Sequence, residues 1–301
     1  MFDFIIIGAP KASSSLLHHI IREHPNVCSS YWESPHFEND NYVADVHKLH
    51  QELTADAKPN QIIGIKRPGY LASEKCAERI AELSPDAKLL VILRDPVIRF
   101  ISDYYHCVRH RIRGLPVMSI KSLSQKIQSD SWLRKYPAVQ QLIDNSKYDQ
   151  HLNYYYKLFE SDQILVLKQE LFVADIESSA YRIYDFLGIK HVTPSIPDEK
   201  PQAVCYDMKQ IRILRFRNRF VFEYDKNDGM FFRSHYRRHH AFFMKNLLHI
   251  QRWIEGSSYA CDDRKTLDES DWLRLYSRYE DSMRNLEKLL GHKVPWRYSK
   301  S

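Results

Sequence analysis

Eight residues near the amino end, Gly8-Ala-Pro-Lys11-Ala12-Ser13-Ser14-Ser15, place backbone N–H groups, three hydroxyls and one ammonium in a single short loop. The loop follows the apolar run Phe2-Asp-Phe-Ile-Ile-Ile7 and precedes a stretch of helical character. Strand, loop and helix in that order let amide groups and a helix N-terminus meet a phosphate, with Lys11 as a point charge and Ser13, Ser14 and Ser15 as further hydrogen-bond donors. The spacing is not GxxxxGK[ST], because Lys11 precedes the hydroxyls and no Gly-Lys-Ser/Thr occurs, which argues against an ordinary ATP or GTP hydrolase. A second reading of the same residues stands beside this one: Ser13 or Ser14 N-caps the helix and Lys11 is solvated. Further on, Arg94-Asp-Pro96-Val-Ile-Arg99-Phe-Ile-Ser102 places polar groups just after another apolar run, with Pro96 near a helix start.

Positioning these groups requires a sheet. Unbroken runs rich in β-branched residues at 2–7, 62–65, 89–93 and 164–167 predict strands buried on both faces of a parallel sheet. Helical stretches at 14–23, 73–83 and 98–111 separate them, each with Pro25, Pro85 or Gly114 behind its end. Such alternation implies right-handed βαβ crossovers, and ligands in such sheets bind at the carboxyl ends of the strands. The second half is predicted to be mostly helical, at 148–159, 175–187, 212–222, 236–254 and 271–290. The last of these carries Leu275, Tyr279, Met283, Leu286 and Leu290 on one stripe, and a Pro-containing connection spans 192–207. The expected fold class is α/β, a central parallel sheet flanked by helices, with a helical C-terminal part. It forms a single domain over residues 1–301, with a mainly helical insertion around 202–263.

Composition narrows the ligand. The 301 residues carry 44 basic and 38 acidic side chains, a net charge of +6. This mild, interspersed excess suits an anionic small ligand better than a nucleic-acid groove. Five cysteines form no CxxC pair and no metal-type cluster, so they read as buried or free thiols in a reducing compartment and no metal is expected. Residue 1 leads straight into the apolar run with no basic n-region, and no run approaches the roughly 18 apolar residues of a membrane span. The expectation is a soluble, cytoplasmic protein with no nucleic-acid or membrane partner; its oligomeric state is not encoded in any of these features.

The segment 94–102 resembles the 3′-phosphate-binding segment of sulfotransferases: an apolar strand, Arg-(Asp/Asn)-Pro, and a serine eight residues after the first arginine. The loop Lys11 to Ser15 is similar to the 5′-phosphosulfate loop of that family, with Ser13 where a glycine is usual. Ser146-Lys-Tyr148, Glu170, Phe186-Leu-Gly188 and the stretch from Leu286 to Trp296 extend the resemblance, toward the bacterial and glycosaminoglycan-type branch and a P-loop NTPase-like sheet. It implies 3′-phosphoadenosine 5′-phosphosulfate (PAPS) as co-substrate, 3′-phosphoadenosine 5′-phosphate (PAP) as product, and sulfuryl transfer to a hydroxyl or amine of a small-molecule or carbohydrate acceptor. Lys11 would then touch the 5′-phosphate and bridging oxygen, residues Ala12 to Ser15 the remaining oxygens, and Arg94 with Ser102 the 3′-phosphate. Arg99 is equally consistent with ligand contact or a structural ion pair.

The acceptor must lose a proton, so a base is needed opposite the sulfuryl donor. Tyr31-Trp-Glu33-Ser-Pro-His36-Phe37 resembles the family's Lys-Glu-Pro-His-Phe-Phe stretch, but the glutamate position falls on Ser34 and Glu33 stands one residue early. Glu33 and His36 are both candidates. Lys66, in Gly64-Ile-Lys66-Arg-Pro-Gly-Tyr70, is a candidate contact for the transferring group, or an exposed loop lysine. The basic stretches 212–219 and 233–240 read as solvated helix faces. Two other functions remain: a nucleotide-dependent kinase or phosphoryl transferase, and a catalytically weak nucleotide-binding module.

Overall fold

The computed structural model describes residues 1–197, 208–224, 230–232 and 263–296. In chain order the elements begin β1 (Phe4–Gly8), α1 (Ser14–Arg22), β2 (Val27–Ser29), α2 (Tyr42–Asp56), β3 (Ile62–Lys66), α3 (Glu74–Leu83), β4 (Lys88–Leu93) and α4 (Pro96–His110). They continue with α5 (Ile120–Lys126), α6 (Asp130–Lys135), α7 (Pro137–Asp144), α8 (Tyr148–Tyr156), β5 (Ile164–Lys168), α9 (Gln169–Ala174), α10 (Ile176–Leu187) and α11 (Met208–Val221). The short strands β6 (Phe222–Tyr224) and β7 (Met230–Phe232) and the helices α12 (Glu269–Tyr276) and α13 (Glu280–Leu290) complete the set. Two 3₁₀ turns, Pro35–Glu38 and Pro68–Ala72, matter for the site.

The chain divides into two compact units. The first comprises Met1–Asp95, Lys147–Lys200 and Asp281–Arg297, and holds the five-stranded sheet in the order β2-β3-β1-β4-β5, every pair parallel. The strands form where the sequence predicts them because their residues have no wet face: every residue of β1 is buried, and every residue of β4 after Lys88. Gly64 is required by the packing of β3 on β1, since a Cβ there would lie 2.2 Å from the Phe4 ring. Helix α10 ends at Gly188 in the left-handed region at φ 75°, and Ile189 N–H closes back on the Tyr184 carbonyl at 3.0 Å, the C-terminal turn that glycine permits.

The second unit comprises Pro96–Ser146, Pro201–Glu280 and Tyr298–Ser301. Its described part is built on α4, whose buried face runs from Val97 to Val108 through Phe100, Ile101 and Tyr104, with α11 packed against it. Asn218 of α11 is buried and donates to the Arg109 carbonyl at 2.9 Å. Arg212 and Arg219 are exposed and Ile211 and Leu214 buried, but Arg215 donates to the Val108 carbonyl at 2.9 Å and Ile213 and Phe216 are exposed, so only part of 212–219 is a solvated basic face. The stretch 233–240, the helix expected at 236–254 and most of the insertion expected at 202–263 lie outside the described residues.

Several expectations change. The single helix predicted over 271–290 is two helices, α12 and α13, broken at residues 277–279. Ser277 Oγ donates to the Arg274 carbonyl at 2.9 Å and Tyr279 N–H to that of Tyr276 at 2.8 Å, which ends the first helix in a tight turn. The apolar stripe survives the break, with Leu275, Tyr279, Met283 and Leu286 all buried. The break coincides with the passage of the chain from the second unit to the first. The predicted reading had no β2, α2 or α5–α7: β2 is only three residues long, and α2 buries only Val46, Leu49 and Leu53 along an otherwise polar surface.

Candidate functional site

In the strand order, connections leave β1 and β4 toward opposite edges of the sheet, so the carboxyl ends of these neighbours are the topological switch point where α/β sheets bind ligands. The loop containing Lys11 leaves β1 there, and Arg94 stands at the end of β4. Ala9 N–H donates to the Ile92 carbonyl at 2.8 Å, extending the β1–β4 pairing past the strand. Arg94 Nη1 then donates to the Lys11 carbonyl at 3.0 Å. Arg94 is itself oriented by Tyr148, whose hydroxyl donates to the Arg94 carbonyl at 2.9 Å. Tyr148 is buried against Trp296, and the Trp296 indole donates to Glu170 at 3.0 Å, whose other oxygen accepts from Asp95 N–H at 2.9 Å. The ends of β4 and β5 are thus tied together on either side of Arg94.

The loop turns through two non-glycine residues in the left-handed region, Lys11 at φ 65° and Ser13 at φ 68°, ψ 23°. For an L-residue this conformation costs roughly 1–2 kcal/mol, so the loop is held in shape rather than relaxed into it. Ser13 occupies the N-cap position of α1 but makes no side-chain cap hydrogen bond; its carbonyl starts the helix, accepting from Leu16 and Leu17 N–H at 3.1 Å each. Instead its hydroxyl accepts from Gln169 Nε2 at 3.1 Å. Ser14 is buried in the first turn of α1. The capping alternative is therefore not the role of Ser13, and the glycine-like backbone geometry is present although the residue is serine.

Ser15 reaches the other side of the site. Lys66, at the end of β3, is 6% exposed and donates from Nζ to Ser15 Oγ at 3.2 Å. Its position at the rim of the sheet, with its stem packed away from water, excludes the exposed-loop reading. The same ammonium lies 3.4 Å from Glu33 Oε1, and Arg67 Nη1 lies 3.1 Å from Glu33 Oε2. Arg67 also grips Glu38 with two bonds, 2.7 and 2.8 Å, so it fixes the segment at both ends of the 3₁₀ turn. Ser34, the residue that stands where the family pattern has glutamate, is 2% exposed, donates from its amide to the Lys66 carbonyl at 3.0 Å, and its own carbonyl accepts from the Tyr70 hydroxyl. The hydroxyl of Tyr70 also accepts from Phe37 N–H at 3.2 Å. With Ser34 locked inward, the carboxylate one residue earlier faces Lys66.

His36 sits elsewhere. Burial pushes its imidazole below its ordinary pKa against the opposing pull of Asp45 and Glu52, and its Nδ1 has no hydrogen-bond partner among the described residues. His18, on α1, was not singled out from sequence, yet it is 4% exposed and bonds through Nε2 to Ser29 Oγ at 2.8 Å. Burial first, then the charges of Lys66, Arg22 and His19, hold its pKa down at about 3, so it is neutral at physiological pH. Sequence reading also missed Arg67, adjacent to Lys66, and Gln169, adjacent to Glu170.

The geometry thus brings Lys11, Ala12, Ser13, Ser15, Arg94, Lys66 and Glu33 to the strand ends of one unit. Ser102 lies half-buried on α4, in the other unit. Arg99 is wholly buried there, donating to Asp103 at 3.0 Å and to the Leu142 carbonyl at 2.6 Å; its ion pair is structural. Among the described residues no three His, Cys, Asp or Glu side chains gather at metal-binding distance, and no helix is long and apolar enough to cross a membrane.

A parallel sheet with a lysine- and hydroxyl-bearing loop at its switch point defines a protein of the class that binds nucleotide phosphates at the strand ends. Residues 2–256 match the sulfotransferase domain, and the chain belongs to the sulfotransferase family. Among curated relatives, heparan sulfate glucosamine 3-O-sulfotransferase 3B1 of Mus musculus is 31% identical over 193 residues, covering 62% of this chain and 46% of the relative. Heparan sulfate glucosamine 3-O-sulfotransferase 6 of Homo sapiens is 30% identical over 188 residues, 62% of this chain and 52% of the relative. The chain spans about half the length of the curated relatives it matches. The crystal structure of a sulfotransferase from Alicyclobacillus acidocaldarius superposes with a TM-score of 0.54 at 21% identity, covering 73% of this chain and 93% of that one, a likeness of fold.

Proposed function

We propose that this chain transfers the sulfuryl group of PAPS to a hydroxyl or amine on a carbohydrate or small-molecule acceptor. The observation that carries the reading is the path from Glu33 through Lys66 to Ser15: one buried ammonium touches both the carboxylate and a hydroxyl of the phosphate loop. The residues at the loop fit a phosphosulfate by their chemistry, since an ammonium, hydroxyls and amides of a left-handed turn all present positive ends to an anion. Bound PAPS supplies the sulfuryl group and a phosphate leaving group. Transfer of this kind runs through a loose, in-line transition state, so the work of the protein is positioning and neutralisation of charge. Lys11 neutralises charge at the leaving phosphate. Ala12 amide and the Ser13, Ser14 and Ser15 groups hold the remaining oxygens, and Arg94 holds the 3′-phosphate; Ser102 is assigned to that phosphate by its place in the family pattern.

Glu33 takes the acceptor proton, and Lys66 keeps the carboxylate aligned with the loop. Its placement supports an active enzyme over a binding module that has lost its base, and favours Glu33 over His36. Beside Glu33, Tyr31 and Trp32 are 65% and 76% exposed, flat apolar surface of the kind that stacks on sugar rings, in keeping with the carbohydrate acceptor in the names of the curated relatives. Isothermal titration of the chain with PAP, against ADP plus Mg²⁺, tests the nucleotide. Tighter binding of PAP is expected, and tighter binding of ADP would return the kinase reading. Label transfer from ³⁵S-PAPS to N-sulfated glucosamine oligosaccharides and to simple phenols then tests the acceptor class.

A further inference from the structure

The left-handed turn at Ser13 raises a question that its sequence neighbours do not answer: what holds a serine in a conformation that glycine adopts freely. Besides Lys66 on Ser15, two side chains reach the left-handed part of the loop, one from the end of β4 and one from the end of β5. Arg94, after β4, bonds the carbonyl of the left-handed Lys11 at 3.0 Å. Gln169, the first residue after β5, donates from Nε2 to the hydroxyl of the left-handed Ser13 at 3.1 Å. A glycine at position 13 would have no hydroxyl for Gln169 to hold, and would need no holding.

We propose that Gln169 is a positioning residue for the phosphate loop: through the Ser13 hydroxyl it keeps residue 13 left-handed, and so keeps the amides of Ala12 to Ser15 aimed at the 5′-phosphosulfate. This rests on the PAPS reading and adds to it a residue that touches no part of the nucleotide. Rotation of Ser13 out of this region would swing the loop against α1, because the Ser13 carbonyl is the first acceptor of that helix. Without Gln169 the loop divides its population between left-handed and relaxed forms, and only the fraction in the competent form binds. Glu170, next in sequence, is committed to Asp95 and Trp296 and does not replace it.

The test is a double-mutant cycle on the full chain, read as the PAP Kd by isothermal titration, with the ligand-free melting temperature as a check on folding. Gln169→Ala and Gln169→Met, the second keeping the length but losing the N–H donor without adding charge, are expected to weaken PAP binding about three- to tenfold with Ser13 present, from the worth of one hydrogen bond. In a Ser13→Gly background, which sets its own reference Kd, the same two changes are expected to shift binding less than about twofold, the size of coupling that a cycle resolves. Equal losses in both backgrounds, or no loss with Ser13 present, overturn the inference while leaving the PAPS reading intact. Failure of the unmodified chain to bind PAP overturns both.

Discussion

The loop after β1 and the segment from Ser30 to Glu38 face one another across Lys66, yet different forces hold them. Backbone geometry shapes the loop: two left-handed residues, an amide continuing the β1–β4 pairing, and one pin from each of the strand ends at Arg94 and Gln169. The segment is held by side chains on the run after β3: the Lys66 and Arg67 charges on Glu33 and Glu38, and the Tyr70 phenol on the backbone of Ser34 and Phe37. Under the proposed function, binding geometry on the nucleotide side is inherited from the sheet. The proposed base, Glu33, is placed by a few replaceable groups, which lets a glutamate displaced by one residue face Lys66.

This contrast predicts that single substitutions separate along it. The largest effect is expected at Lys11, where loss of the ammonium leaves the leaving phosphate uncompensated. Lys11→Ala should lower the rate of ³⁵S transfer about 10³-fold, at the upper end of the loss for one charge-stabilising group. Arg94→Ala should chiefly raise the PAP Kd, because its guanidinium pins the Lys11 carbonyl and, in the proposed function, holds the 3′-phosphate. Near-normal rates in both variants would break the assignment of the loop.

Next in size is the base. Glu33→Gln keeps shape and removes proton acceptance, so turnover should fall about 10²-fold, the lower end of the loss for a general base, while PAP titration stays close to that of the unmodified chain. If PAP binding falls as steeply as turnover, the two regions are not separable as described. If His36→Asn costs more turnover than Glu33→Gln, the base assignment is reversed.

Tyr70→Phe probes the scaffold beneath that base. It removes one hydroxyl that donates to the Ser34 carbonyl and accepts from Phe37 N–H, both buried. The variant should lose about 1–3 kcal/mol of stability in urea unfolding, the penalty for unsatisfied buried groups. It should also raise the acceptor KM more than the PAP Kd, because the segment loosens while the loop does not. A loss of PAP affinity larger than the change in acceptor KM would show the segment and loop to be one mechanical unit.

The same contrast explains what could be read from the sequence. Four strands were legible because buried parallel strands are written as unbroken apolar runs, and the places of Lys11 and Arg94 after strand ends were legible because such motifs have fixed spacing. Lys66 was found but its burial was not, since a lysine at a strand end gives no sign of how deep its stem lies. Arg67 and Gln169 were illegible: each acts on a residue far away in sequence, 34 and 156 positions, and neither carries a local pattern. Ser13 was noticed as a departure from the family glycine, but only the φ angle shows that the backbone has not departed with it. The break between α12 and α13 was hidden because the apolar stripe keeps helical spacing across it.

The smallest expected effect is on stability, and it reports on His18, which joins the two regions. It stands on the helix that follows the phosphate loop, bonds to Ser29 just before the acceptor-side segment, and lies close enough to Lys66 to feel its charge. Its folded pKa of about 3 lies below the ordinary 6.5. As pH falls through 6.5 the unfolded chain therefore takes up a proton that the folded chain refuses, and stability drops until the folded form protonates near 3. At pH 5.5 the loss from this group is roughly 1.4 kcal/mol relative to pH 7.5. Urea unfolding of the unmodified chain and of His18→Gln at the two pH values checks this: the variant should lose about that much less on acidification. Parallel losses in the two proteins would mean that His18 takes up a proton in the fold as readily as in the unfolded chain, and that the wall between loop and segment is wetter than its burial implies.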